Sequence, residues 1–177
     1  GVSVDVITME DPAENEDLLQ INPYGSLPTL VDRGDLALYD PQVIMEYLEE
    51  RFPHPPLMPV YPIQRAKKRL MMHRIRQDWY SLLENIANNQ GDVKSYKKEL
   101  LENLVMLSPV FAEMPYFLSE EFSLVDCCLA PLLWRLPYYG IKIPARIKSI
   151  HAYMERVFSR DSFQVSLTDA ERELYGE

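Results

Sequence analysis

A small mixed α/β unit, a proline-rich connector and an all-helical unit make up the fold class that this sequence predicts, and three observations predict it. Short apolar runs punctuated by turn residues fill the first fifty positions. Five prolines then crowd into FPHPPLMPVYP, residues 52–62, where locked φ angles and missing donors forbid helix or inner strand. Beyond it the apolar residues recur at helical spacing. The expected boundaries are 1–52 for the first unit, 53–61 for the connector and 62–177 for the second.

In order along the chain, VSVDVI (2–7) alternates Val2, Val4 and Val6 with polar residues, the period of a half-buried strand. ENEDLLQI reads as a short helix. NPYGSLPTLVD (22–32) gives a turn and then a strand, and RGDLALYD a second turn and strand. PQVIMEYLEERF is a helix, with Pro41 in its first turn and Asp40 placed to cap it. After the connector, Met71, Ile75, Trp79, Leu82 and Ile86 share one face of a long helix, with Gly91-Asp92 as its stop. Leu100, Leu104, Leu107 and Phe111 share a face of a second helix that the spacing carries through to Met114. Ser123 and Asp126 open a third as a capping box, because hydroxyl and carboxylate can each take an orphan amide. A last helix around RIKSIHAYMERVF precedes a polar tail.

The 177 residues are enough for a proper core, with 47% hydrophobic and 25% charged residues and no apolar run long enough to span a bilayer. Cys127 and Cys128 are adjacent, so a bridge between them is badly strained; they read as reduced core thiols, which points to the cytosol. The net charge of −9 is uneven. Residues 1–61 hold two bases against twelve acids, and the rest sixteen bases against fifteen acids. An acidic first unit argues against direct DNA binding, which cationic patches drive. RAKKRLMMHRIR (65–76) holds six of the bases; Arg65, Lys68, Arg69, Met72 and Arg76 read as one solvated face, with contact to acidic protein or DNA as the alternative. Acid on the first unit and base on the second can pair across a two-fold interface.

The order of SLPTL, an acidic residue opening a helix, a connector, and SLVD at a buried helix start resembles the glutathione-transferase fold. That resemblance implies a thioredoxin-like first unit whose first strand and helix are absent from this chain, which begins at Gly1 directly on the expected strand. Four longer segments, RFPHPPLMPVYP, RLMMHRIRQDWYSLL, PYFLSEEFSLVDCCLAPLLWRLP and YMERVFSRDSF, are similar to one bacterial branch of that fold, the stringent starvation protein A family. The resemblance implies a cytoplasmic, stress-related transcription regulator without transferase activity. Its expected partners are the RNA polymerase holoenzyme with its sigma factor and a second subunit, in a homodimer or in a heterodimer with a related chain. It also implies that the Pro-His-Pro surface, here Pro53, His54 and Pro55, is the functional patch.

Residue chemistry bears on that expectation. In the glutathione-transferase pattern Pro28 stands at the cis-proline, with Leu27 before it. Asp40 and Pro41 stand where an acidic residue and a serine usually hold the γ-glutamyl end of the tripeptide. Asp40 can still meet an ammonium, but Pro41 offers a substrate carboxylate neither hydroxyl nor amide hydrogen. Losing donors to a charged group costs about 1.5 to 3 kcal/mol each. Leu27, Pro28, Asp40 and Pro41 are therefore expected to be vestigial, and Asp40-Pro41 also reads simply as a good helix start. The position that activates the thiol in that fold lies upstream of this chain, so a glutathione-dependent enzyme is the alternative. A scaffold within another assembly is a third reading.

His54 has no His or Cys at ligand spacing, so no metal is expected, and no nucleophile stands beside it for it to serve as base. It reads either as a solvated linker residue or, because prolines remove backbone freedom beforehand, as part of a pre-ordered protein-docking patch. Tyr61, with Met58, is of the type enriched in interface cores. No cofactor is expected.

Overall fold

Two four-residue strands, β1 (Thr29–Asp32) and β2 (Leu36–Tyr39), pair antiparallel with Thr29 opposite Tyr39 and Asp32 opposite Leu36. They belong to the first of two units, Gly1–Pro55 and Pro56–Glu177, of a computed structural model that describes residues 4–9, 11–33 and 36–175. Before them runs α1 (Glu16–Ile21), whose first turn is capped by Asn15 through the Leu18 amide at 2.8 Å. After them comes α2 (Pro41–Arg51). Asp32 ties the hairpin to α2: it accepts the Tyr47 hydroxyl and lies 3.9 Å from the Arg51 guanidinium. The Tyr47 bond, helped by the Arg33 amide and Arg51, holds the Asp32 carboxyl below the usual carboxylate range.

The turn between α1 and β1 is organised by one buried amide. Asn22 is fully buried; its Nδ2 donates to the Ser26 carbonyl and hydroxyl and to Thr29 Oγ1, and its Oδ1 accepts the Tyr24 amide. Gly25 completes the turn at φ +56°, where a Cβ would lie 3.2 Å from Leu19 and 3.3 Å from the Pro12 carbonyl.

The strand expected at residues 2–7 is not formed at its described positions. Residues 4–7 belong to no strand among the described residues, and Val4, Val6 and Ile7 are exposed. Alternation is only a pattern; a strand exists when a second backbone satisfies its amides and carbonyls.

The second unit is helical. α3 (Pro62–Arg74), a π-helical segment (Ile75–Tyr80) and α4 (Ser81–Ala87) form one continuous rod. In the π segment the Ser81 amide reaches back five residues to the Arg76 carbonyl. Ile75, Trp79, Leu82 and Ile86 are buried as expected, together with Met72 and Leu83. Met71, expected on that face, is only partly covered.

α5 (Val93–Met106), capped by Asp92 through the Ser95 amide, ends at Leu107, and α6 (Ser108–Glu113) begins anew. The helix expected to run unbroken to Met114 is thus divided, because Pro109 has no amide with which to continue α5. Leu100, Leu104 and Phe111 are buried as expected.

α7 (Leu124–Arg135) is the central element; eight of its twelve residues are buried. α3 packs on it from one side and α8 (Lys148–Phe158) from another, while α4 lies on α5 and α6 on α8. Pro131 removes the amide that would serve the Cys127 carbonyl, and the adjacent Cys128 carbonyl accepts the Tyr80 hydroxyl at 2.9 Å.

The polar tail is not a tail. α9 (Asp161–Ser166) and α10 (Asp169–Tyr175) follow, and Trp134 Nε1 donates to the Glu171 carbonyl while Arg135 pairs with the Glu171 carboxylate. Glu171 of α10 thus answers Arg135 at the end of α7, a pairing that sequence polarity alone conceals.

Candidate functional site

The connector is built by chemistry at both of its ends. α2 stops at Arg51, and Pro53, His54 and Pro55 follow as exposed, non-helical residues with a cis His54–Pro55 bond. Among the described residues no group of three or more His, Cys, Asp or Glu could hold a metal ion. His73 is exposed, and His151 contacts the Pro144 carbonyl at 3.3 Å.

Within the helical unit the chain is pinned and then presented. The Leu57 carbonyl accepts the Leu124 amide, at the N-terminus of α7, at 3.0 Å, and Met58 is 4% exposed. Val60 and Tyr61 then stand out at 85% and 70% exposure before Pro62 opens α3. Met58, expected beside Tyr61 in an interface core, is instead part of this unit's own core. Tyr61 is where a docking residue has to be, on the surface.

The cluster that holds Leu57 centres on Asp126, which is fully buried. Its Oδ2 accepts the Ser123 amide at 2.8 Å and the Ser123 hydroxyl at 3.1 Å, completing the expected capping box. Its Oδ1 accepts the Phe117 amide at 2.9 Å and the Tyr153 hydroxyl at 2.8 Å. Burial, together with this carboxylate, pushes the Tyr153 hydroxyl well above its ordinary range, so it remains a donor. Lys68 Nζ reaches Ser123 Oγ at 3.3 Å. Burial lowers the Lys68 ammonium, and the Asp126 carboxylate partly offsets that.

The basic face of α3 is therefore misread by charge alone. Met72 is buried, and Arg65, Lys68, Arg69 and Arg76 are partly covered. Long aliphatic stems pack while their cationic heads find polar partners, such as the Pro59 carbonyl for Arg65 and Ser123 for Lys68. The outward face is Ile63, Lys67, Leu70 and Arg74. Lys68 and Leu57 were not foreseen as parts of the capping box, because they meet it across 55 and 67 positions of chain.

In the first unit the register places Leu27-Pro28 and Asp40-Pro41 together at the open end of the hairpin, since Thr29 faces Tyr39. The Leu27–Pro28 bond is cis. Asp40 sits at φ +85°, and its Oδ1 accepts the amides of Gln42 and Val43, at 2.9 and 3.2 Å, as the cap of α2. The carboxylate serves the helix start, and Pro41 brings no amide to this end.

Cys127 and Cys128 are free, and burial pushes their thiols up to about 12 and about 11. Because the thiolate is the nucleophile, alkylation by iodoacetamide at pH 7 in the folded protein is expected to be at least about tenfold slower than that of a free cysteine. Labelling at the free-cysteine rate, followed by mass spectrometry, would contradict this.

Two glutathione S-transferase family models match the chain, the N-terminal domain over residues 1–51 and the C-terminal domain over residues 70–161. The stringent starvation protein A homolog of Pasteurella multocida strain Pm70 is 53% identical over 169 residues, covering 94% of this chain and 79% of that protein. That of Coxiella burnetii strain RSA 493 is 48% identical over 176 residues, covering 98% and 84%. A solved ternary complex of BphK, a bacterial glutathione transferase, superposes with a TM-score of 0.79 at 23% identity over 90% of this chain and 81% of that one, which speaks for the fold alone. On these matches the chain belongs to the stringent starvation protein A family, built on the glutathione S-transferase fold.

Proposed function

We propose that this chain is a non-enzymatic, RNA polymerase-associated transcription regulator that docks on the holoenzyme, through its sigma factor, by Pro53, His54 and Pro55, with Tyr61 as an outlying contact. The observation that carries the reading is the exposed imidazole bracketed by Pro53 and Pro55. A group presented with little freedom left to lose suits docking. Leu27, Pro28, Asp40 and Pro41 are the vestige of a glutathione site, with the Asp40 carboxylate engaged as a helix cap and Pro41 without a donor. No helix among the described residues is long and apolar enough to cross a membrane; the cytoplasm is the proposed setting.

The working form is a homodimer or a heterodimer with a related subunit. The outward face of α3 mixes exposed Ile63 and Leu70 with Lys67 and Arg74, and the acidic first unit of a second copy complements it.

The test is binding of full-length protein to homologous polymerase holoenzyme, wild type against the triple change Pro53→Ala, His54→Ala and Pro55→Ala with unchanged circular dichroism. Loss of binding in the triple variant alone supports the reading. Retention on immobilised glutathione with conjugation of a model electrophile would replace it by the enzyme reading, and a stable partner other than polymerase by the scaffold reading.

A further inference from the structure

The docking reading leaves open what sets the place at which the connector joins the helical unit. Three bonds converge there. The Leu124 amide holds the Leu57 carbonyl at 3.0 Å, the Ser123 hydroxyl donates to Asp126 at 3.1 Å, and Lys68 Nζ donates to that same Ser123 hydroxyl oxygen at 3.3 Å. Asp126 already accepts four protein hydrogen bonds, so the capping box does not need Lys68 to be satisfied. The ammonium does something else: it fastens α3, the helix that begins directly after the connector, to the residue that precedes the anchoring amide. Met58 lies buried within the stretch so enclosed.

We infer that Lys68 is a positioning residue for the docking connector, fixing residue 57, and with it the stretch that leads to Tyr61, on the N-terminus of α7. The inference rests on the docking reading. Its chemistry is specific: a hydrogen-bond donor at the end of a long stem, directed at the Ser123 hydroxyl. A methionine has the stem without the donor; an arginine has both.

A lysine placed here for stability alone would be a poor choice, since covering its ammonium disfavours the charged form. The sign follows. With its pKa lowered in the folded state, the protonated lysine detracts from stability at neutral pH, and that detraction disappears only as pH rises through the ordinary lysine range. Lys68→Met is therefore expected to leave the melting temperature unchanged or raise it, while the anchor loosens.

The experiment compares wild type, Lys68→Met and Lys68→Arg in the full-length protein by amide hydrogen exchange, thermal unfolding and binding to polymerase holoenzyme. The Leu124 amide is expected to exchange about tenfold faster in Lys68→Met, and holoenzyme binding to weaken by about the same factor, with both restored in Lys68→Arg. The Phe117 amide, bonded to Asp126, is the internal control and should not change. An unchanged Leu124 amide in Lys68→Met overturns the inference, as does full binding with that amide open. A general loss of protection with a lowered melting temperature also overturns it, in favour of a merely structural lysine. If wild type itself does not bind holoenzyme, the docking reading falls, and the exchange rates alone decide whether Lys68 holds the connector.

Discussion

Asp126→Ala is expected to destabilise the helical unit by about 3–5 kcal/mol, a large part of the whole stability of a domain this size. The carboxylate is fully buried and accepts four hydrogen bonds: from the Ser123 amide and hydroxyl, the Phe117 amide and the Tyr153 hydroxyl. Alanine leaves all four donors without an acceptor in a place water does not reach. Each buried orphan costs about 1–3 kcal/mol before relaxation, and relaxation recovers part of the total. Tyr153 cannot escape by losing its proton, because burial already holds that proton tightly. Asp126→Asn should cost less, about 2 kcal/mol, because one amide oxygen still accepts while its amino group opposes the remaining donors. Tyr153→Phe, which removes a donor together with its need, should cost only about 1 kcal/mol. Urea unfolding followed by circular dichroism measures all three; a loss below about 1 kcal/mol for Asp126→Ala would mean that this centre is not what holds α7 in place.

Binding of the holoenzyme should fall about a hundredfold or more in the Pro53→Ala, His54→Ala, Pro55→Ala protein, and single changes should divide that loss unequally. Truncating a central contact of an interface typically costs about 2 kcal/mol or more, so His54→Ala is expected near thirtyfold. The prolines act through the free state: each alanine gives back backbone freedom that docking must remove again, worth about 0.4–1 kcal/mol. Tyr61→Ala, at an exposed position seven residues after His54, should cost about 1 kcal/mol. Titration by biolayer interferometry resolves these values. Changes of less than twofold in every variant would remove the connector from consideration as the docking surface.

How much of this was legible in the sequence depends on the range of the interaction concerned. The caps at Asp40 and Ser123-Asp126, the hairpin and most buried helix faces follow from residues near one another in the chain, and pattern reading found them; the stop expected at Gly91 comes earlier, at Ala87. The π-helical segment was missed because a wider hydrogen-bonded turn leaves no mark in composition or in the three-four spacing of the apolar residues. The break before α6 turned on Pro109 inside an otherwise persuasive apolar repeat. Val4 and Val6 alternated as a strand would, yet alternation says nothing about a pairing neighbour. Local chemistry singled out His54 and Tyr61, which lie on the surface, whereas Met58 was placed on the wrong side of it. The anchor was found only in part: Ser123 and Asp126 announce themselves, but Leu57 and Lys68 reach them from far along the chain, and Lys68 looked like one more solvated cation.

The silence of Cys127 and Cys128 has a practical use. Native thiols held protonated by burial compete only slowly with an exposed cysteine for maleimide or iodoacetamide. One engineered cysteine, His54→Cys or Tyr61→Cys, would therefore take a fluorophore or spin label almost alone, without stripping cysteines from the core of α7. The approach of any partner to the connector could then be followed as a change in light or in spin relaxation, on a molecule otherwise left as it is.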